Sequence, residues 1–371
     1  MPPISLLIKP ASSNCNLRCQ YCFYHAIADS RTVKSYGMMS LATLEEIVKK
    51  TLLFADQFCN FAFQGGEPTL IGLDFFRTLI TLQEKYNVKK VKISNSIQTN
   101  GTLIDEAWAE FLHEHNFLVG LSLDGNKDTH DLMRFDANAA GTFQKVMKTV
   151  NLFDQYKVEY NILFVVNATV ARYTTKIYHF FKKQKFQYLQ FIPCLDPLDE
   201  TSGGQAHSLT PERFEYFLKT IFDLWYEDVK AGNLISIRYF DNILSMMLGY
   251  PPESCGMSGV CSCQFVIEAD GGVYPCDFYV SDEWLLGNIL EMDYFDLKHS
   301  PTCVRFEEVS KHIDPICKTC NWGYFCRGGC RRDREPFMDG QPGLNIFCTA
   351  FAHFFDYAIP RFEEIARTLK K

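Results

Sequence analysis

The 371-residue chain lacks any run of about eighteen apolar residues, the length a membrane-spanning helix requires. It also lacks a basic run, and its net charge is −7, which argues against nucleic acid as a partner. The opening Met1-Pro2-Pro3-Ile4-Ser5-Leu6-Leu7-Ile8-Lys9 has no basic n-region and too short an apolar stretch for a secretory leader. These absences lead us to expect no membrane partner, no nucleic-acid partner and a cytoplasmic location. Cysteine, by contrast, is abundant. Fifteen cysteines are an odd number in a long chain, whereas a secreted disulfide scaffold is shorter and lacks an extended α/β pattern. In a reducing compartment so many thiols point to metal.

Apolar spacing alternates between strand and helix periods along the first half of the chain. Strands are expected at 4–9, 60–64, 90–98, 118–124, 158–167 and 188–195, and helices at 41–54, 73–86, 105–115, 142–156 and 174–185. The helix at 41–54 shows the pattern, with Leu44, Ile47, Val48 and Leu52 on one face. Six β/α units in order predict a parallel sheet with right-handed crossovers. They are too few for a closed eight-fold barrel, but reactive groups should still gather at the carboxyl ends of the strands.

Directly after the first strand come Cys15, Cys19 and Cys22 in the spacing C-x3-C-x2-C. Iron–sulfur clusters usually take four cysteines. Three close thiolates leave one metal corner open, as a catalytic zinc site does. A zinc knuckle is the alternative, with His25 as a fourth donor. A second constellation reads Cys255-x5-Cys261-x9-Gly271-x4-Cys276, then Cys317-x2-Cys320-x5-Cys326-x3-Cys330, then Cys348. Taken alone, its C-x2-C spacing serves zinc as well as iron–sulfur clusters. Cys263 has no settled place in that spacing, and Cys59, Cys194 and Cys303 are expected to be ordinary buried thiols. Asp277 follows Cys276 directly in Tyr274-Pro275-Cys276-Asp277-Phe278-Tyr279. Its carboxylate is therefore fixed beside whatever Cys276 holds, a setting that suits a general base.

Cys19-Gln20-Tyr21-Cys22, with its aromatic before the third cysteine, and Gly65-Gly66-Glu67-Pro68 after the second strand together resemble the signature of the radical S-adenosylmethionine (radical SAM) enzymes. The resemblance implies a partial (β/α)6 barrel and a [4Fe–4S] cluster on Cys15, Cys19 and Cys22. SAM would chelate the open iron and be cleaved to a 5′-deoxyadenosyl radical, the cofactor carrying the hard chemistry. Tyr21, Gly65, Gly66 and Glu67 would line the SAM site, the glycine-rich turn meeting the amino group. Ser122 would meet the ribose, Leu195 would pack the adenine, and Arg134 in His130-Asp131-Leu132-Met133-Arg134 would take the carboxylate. Glycine permits a backbone approach that a Cβ blocks, and the arginine fork matches a planar carboxylate. The second constellation resembles the SPASM domain. That likeness implies two auxiliary [4Fe–4S] clusters, one on Cys255, Cys261, Cys276 and Cys330 and one on Cys317, Cys320, Cys326 and Cys348, making three clusters with the first. Fully ligated by cysteine, the auxiliary pair would carry electrons. The expected fold class is thus α/β, a partial radical SAM barrel over 1–235, then a small cysteine-rich SPASM-type domain over 236–348 and a C-terminal helix over 349–371.

Along its whole length the chain resembles the anaerobic sulfatase-maturating enzymes. The motifs are Phe23-Tyr24-His25, Phe63-Gln64-Gly65-Gly66-Glu67-Pro68-Thr69-Leu70, Gln98-Thr99-Asn100-Gly101-Thr102-Leu103, the segment around Asp277, and Cys326-Arg327-Gly328-Gly329-Cys330-Arg331. This implies oxidation of a Cys or Ser in an unfolded sulfatase polypeptide to formylglycine (3-oxoalanine). The radical would take a β-hydrogen, Asp277 would take the proton, and Tyr24 and Gln64 would position the peptide. An electron donor such as ferredoxin or flavodoxin and a monomeric state complete the expectation. Two rivals are another SPASM maturase, such as one forming thioether cross-links in a ribosomal peptide, and a non-catalytic iron–sulfur electron carrier.

Overall fold

The computed structural model describes residues 3–198, 203–337 and 340–369. Its strands are β1 (Ile4–Ile8), β2 (Phe58–Phe63), β3 (Lys92–Thr99), β4 (Leu118–Ser122), β5 (Tyr160–Val166), β6 (Tyr188–Pro193), β7 (Ser236–Ile237), β8 (Val266–Ile267), β9 (Gly272–Tyr274) and β10 (Gly287–Asn288). The six expected strands are all present. Lys9, Asp124 and Leu195, expected inside strands, lie just beyond the ends of β1, β4 and β6. The chain packs as two compact units, each discontinuous in sequence.

The first unit comprises Met1–Ser122, Arg134–Tyr160 and Ser262–Phe306. Strands β1 to β4 pair in parallel, with Ile4 opposite Cys59, Phe58 opposite Lys92 and Ser96 opposite Leu118. β8 joins the far side of β1 in parallel, and β9 and β10 continue antiparallel. Alternation decides which side chains go inward: Cys59, Phe61 and Phe63 of β2 are fully buried, and the residues between them are half-exposed. The helix Leu41–Phe54 starts where the Ser40 hydroxyl accepts from the Thr43 N–H, a standard N-cap. It buries Leu44, Ile47, Val48, Thr51 and Leu52, the i, i+3, i+4 stripe of an amphipathic helix. Phe76, from the helix Leu73–Tyr86, meets Phe63 edge-on at 5.0 Å and Trp108 at 5.2 Å. Burying such a side chain stabilises the fold by about 1.5–3 kcal/mol.

The second unit comprises Leu123–Met133, Asn161–Cys261 and Glu307–Lys371. Here β5, β6 and β7 pair in parallel, Ile162 opposite Leu189 and Tyr188 opposite Ser236. Two helices, Pro211–Lys230 and Arg238–Met247, extend beyond the six-unit reading. The first begins with Thr210 as cap and Pro211 at its first turn, where a missing N–H costs nothing. The C-terminal helix runs Cys348–Leu369 through Pro360; Lys370 and Lys371, included in the expected helix, lie outside the described residues. Phe222 and Trp225 pack against Phe362 at 4.7 and 5.7 Å, and Trp225 against Phe240 at 5.0 Å. Among the described residues, no helix is long and apolar enough to cross a membrane.

Candidate active site

The carboxyl ends of β1, β2 and β3 are stitched into one platform. The Gly66 N–H donates to the Ser12 carbonyl at 2.9 Å, and the Glu67 N–H donates to that of Asn14 at 2.7 Å. This approach depends on glycine, since a Cβ on Gly66 would lie 1.9 Å from the Asn14 oxygen. Gly65 takes φ +120°, a conformation strained for any other residue. Glu67 is buried and accepts from the Thr69 N–H and hydroxyl, the Thr99 hydroxyl and the Asn100 N–H, at 2.6–3.1 Å. Burial pushes its carboxyl up, and those four donors counter the push.

Cys15, Cys19 and Cys22 follow β1 in the loop that this platform holds. None of the fifteen cysteines is paired in a disulfide. The Cys15 sulfur accepts from the Leu17 N–H at 3.4 Å. Burial pushes its thiol up to about 12, and Cys19 and Cys22 both add to the rise, so the three sulfurs share one electrostatic neighbourhood. Cys22 caps the helix Phe23–Asp29. Its thiol is also raised by burial, against the pull of the His25 and Tyr24 N–H groups. Cysteine sulfurs are the donors that iron–sulfur clusters take, and here three of them share one neighbourhood. They therefore fit a three-cysteine iron–sulfur site. Among the described residues, no group of three or more His, Cys, Asp or Glu side chains is arranged to hold a single metal ion.

Ser122 ends β4 and is buried. Arg134 is buried as well, its guanidinium 5.3 Å from the Tyr21 ring centroid, and it favours the thiolate form of Cys22. The cysteine loop is strapped to this segment: the Arg18 N–H donates to the Phe135 carbonyl at 2.7 Å, and Leu17 bridges to Asp136. Tyr21, Cys22 and Arg134 are thereby brought together. Leu195 belongs to the second unit and is half-buried, two residues past β6.

Asp277 sits in a buried polar group. The Tyr24 hydroxyl donates to its Oδ2 at 2.5 Å and Gln64 Nε2 donates to the same oxygen at 3.0 Å. Gln64 also donates to the Tyr24 oxygen at 2.7 Å. Oδ1 is buried and receives no hydrogen bond. Burial pushes the Asp277 carboxyl up, opposed first by Lys9; burial and then Asp277 raise the Tyr24 phenol far above its ordinary range. The sequence reading missed three residues here. Lys9 Nζ lies 3.9 Å from Asp277 Oδ1 and 3.6 Å from Glu268 Oε1, and Arg31 Nη1 lies 2.7 Å from Glu268 Oε1. Lys9 directly follows the strand Ile4-Ser5-Leu6-Leu7-Ile8, and no local pattern marks its distant acidic partners.

In the second unit, Cys326 is raised by burial and then by the charges of Cys348, Cys317 and Cys320, which brings those four thiols into one neighbourhood. Cys255 likewise acts on Cys261, whose N–H donates to the Ser310 hydroxyl at 2.8 Å. The Cys330 sulfur accepts from the Arg332 N–H at 3.4 Å. Cys276 and Cys263 belong to the first unit. Cys59, Cys194 and Cys303 are buried, as expected of ordinary core thiols.

Residues 10–173 match the radical SAM superfamily and residues 255–321 match an iron–sulfur cluster-binding domain, SPASM. The cysteine-type anaerobic sulfatase-maturating enzyme of Clostridium novyi is 53% identical over 369 residues, covering 100% of this chain and 99% of that protein. The chain belongs to the anaerobic sulfatase-maturating enzyme family. The serine-type enzyme of Bacteroides thetaiotaomicron is 33% identical, covering 99% of this chain and 92% of its own. A solved structure, native anSMEcpe with bound AdoMet and Cp18Cys peptide, is 52% identical with a TM-score of 0.96, covering 99% of this chain and 100% of that one. As a member of this family the chain is a radical SAM enzyme, with iron–sulfur clusters and SAM as cofactors. Its α/β fold is a radical SAM domain followed by a SPASM domain and a helical C-terminus.

Proposed function

We propose that this family member oxidises a cysteine of an unfolded sulfatase polypeptide to formylglycine, with serine as the weaker substrate. The observation that carries the reading is Asp277, whose Oδ2 takes two hydrogen bonds while its buried Oδ1 takes none. The cysteine preference draws support from 53% identity to a cysteine-type enzyme against 33% to a serine-type one. The anSMEcpe structure with its bound peptide supports a peptide substrate.

In this reading Cys15, Cys19 and Cys22 hold the first [4Fe–4S] cluster. Tyr21, Gly65, Gly66, Glu67, Ser122, Arg134 and Leu195 line the SAM site. Cys255, Cys261, Cys276 and Cys330 hold one auxiliary cluster, and Cys317, Cys320, Cys326 and Cys348 hold the other. When bound, SAM and the clusters supply a hydrogen-abstracting 5′-deoxyadenosyl radical and an exit for one electron. Tyr24 and Gln64 orient Asp277 and flank the peptide, and Oδ1 receives the thiol proton. Loss of a β-hydrogen, a proton and an electron from –CH2–SH leaves a thioaldehyde, which water converts to the aldehyde with release of hydrogen sulfide. The barrel would span 1–235, the SPASM-type domain 236–348 and the terminal helix 349–371. The protein would act as a cytoplasmic monomer fed by a ferredoxin or flavodoxin.

The test incubates anaerobically reconstituted protein with SAM, reductant and short sulfatase-like Cys and Ser peptides, and reads product masses. An aldehyde, formed faster from Cys, is expected. A thioether-bridged product, or no peptide product despite SAM cleavage, overturns the proposal.

A further inference from the structure

We propose that Lys9 is a positioning residue for Asp277, fixing which carboxylate oxygen is offered to the substrate. The inference rests on Asp277 being the base. Both hydrogen bonds to Asp277 fall on Oδ2, which leaves Oδ1 free to swing unless something else restrains it. Lys9 Nζ stands 3.9 Å from Oδ1. That is beyond the hydrogen-bonding range of roughly 2.7–3.2 Å, so the ammonium attracts Oδ1 without occupying its lone pairs.

The position of Lys9 is itself strongly determined. Its N–H donates to the Ile267 carbonyl at 2.8 Å. Its stem lies against Gly65, where an added Cβ would come within 2.9 Å of Lys9 Cε and 3.1 Å of Lys9 Cβ. Nζ sits 4.6 Å from the centroid of the Tyr24 ring, a cation–π distance. Arg31, Glu268, Lys9 and Asp277 form a buried chain of alternating charge type, 4%, 0%, 2% and 6% exposed. Burying a lysine is costly unless it is paired. Neutralising Glu268 does not by itself account for it, because Arg31 pairs with Glu268 at 2.7 Å, closer than Lys9 at 3.6 Å. Among the described residues, the other carboxylate paired with Lys9 is that of Asp277, at 3.9 Å. Lys9 thus touches the glycine turn, the Tyr24 ring and Asp277 at once.

The experiment compares wild-type protein with Lys9→Met and Lys9→Arg, all reconstituted with iron, sulfide and SAM. It measures iron content, 5′-deoxyadenosine and aldehyde from one Cys peptide. Lys9→Met should keep iron and deoxyadenosine formation, while aldehyde per deoxyadenosine falls about 10–100-fold, the scale of an ångström-level misplacement. The peptide KM should barely move while kcat for aldehyde falls. Lys9→Arg should restore most of the ratio. If Lys9→Met fails to load iron, Lys9→Gln replaces it, and a reduced ratio is again expected. An unchanged ratio in the iron-loaded variant, or equal loss of aldehyde and deoxyadenosine, overturns the assignment. A wild type that makes no aldehyde overturns the Asp277 reading and this inference together. A normal wild type beside an unchanged variant ratio overturns this inference alone.

Discussion

The Tyr24 hydroxyl donates to Asp277 Oδ2 at 2.5 Å across 253 residues of sequence, while Asp277 Oδ1 receives no hydrogen bond. One carboxylate is thereby divided into an anchored oxygen and an open one. The anchoring is durable because burial and the neighbouring carboxylate hold the Tyr24 phenol in its protonated, donating form. The same residues extend to the SAM motif through Gln64, which precedes Gly65 and bonds both Tyr24 and Asp277.

Metal content is the first check. Protein purified without oxygen should carry three [4Fe–4S] clusters, about twelve irons per chain. Replacing Cys15, Cys19 and Cys22 by Ala should remove about four of them and abolish SAM cleavage, leaving the auxiliary absorbance in place. Iron assay and visible spectra measure this; a protein holding only zinc would end the cluster assignment.

Arg134 tests the SAM site. Its guanidinium, buried beside the Tyr21 ring, is proposed to take the SAM carboxylate. A hydrogen bond to a charged group contributes about 1.5–3 kcal/mol, so Arg134→Ala should weaken SAM binding by roughly ten- to 150-fold. Equilibrium binding to the cluster-loaded protein reads this directly. Unaltered affinity would move the carboxylate contact to another residue.

Much of this architecture was legible in the sequence, for identifiable reasons. The six strands and their helices follow from spacing, because one face of each must be buried. The glycine turn was legible because the Gly66 approach to Asn14 excludes a Cβ. Lys9, Arg31 and Glu268 were not legible, since their pairing depends on β1 meeting β8, with Leu7 opposite Val266, and a register over more than 250 residues leaves no local pattern. The helices Pro211–Lys230 and Arg238–Met247 lie beyond the sixth β/α unit and outside its repeating pattern, although Thr210-Pro211 is a plain helix-start signal.

The buried ion chain gives a stability prediction with a definite sign. Burial pushes the Glu268 carboxyl up, but Lys9 and Arg31 outweigh it, so its folded-state pKa falls below the ordinary 4.5. The unfolded chain then binds the proton more readily. The contribution is present above about pH 4.5 and is lost as pH falls through the folded-state value. Arg31→Met strips Glu268 of its closer partner and should destabilise by about 3–5 kcal/mol. Thermal melts of wild type and variant between neutral and acidic pH should differ most at neutral pH and converge on acidification. Parallel curves would show that Glu268 is not the group involved.

Asp277 provides the sharpest test of the function. Asp277→Asn keeps the shape, and its amide oxygen still accepts from Tyr24 and Gln64, but the proton acceptor is gone. A general base typically contributes about 10²–10⁴-fold, so formylglycine production should fall by that order. In the proposed mechanism, abstraction of the β-hydrogen is separable from the deprotonation by Asp277, and Asp277 is not among the proposed cluster ligands. SAM cleavage and iron content should therefore largely survive. The expected signature is uncoupling, with 5′-deoxyadenosine still formed while the aldehyde nearly stops, measured in one reaction by chromatography and peptide mass. Equal loss of both products would assign Asp277 a structural role beside Cys276. A full aldehyde yield would place the base elsewhere.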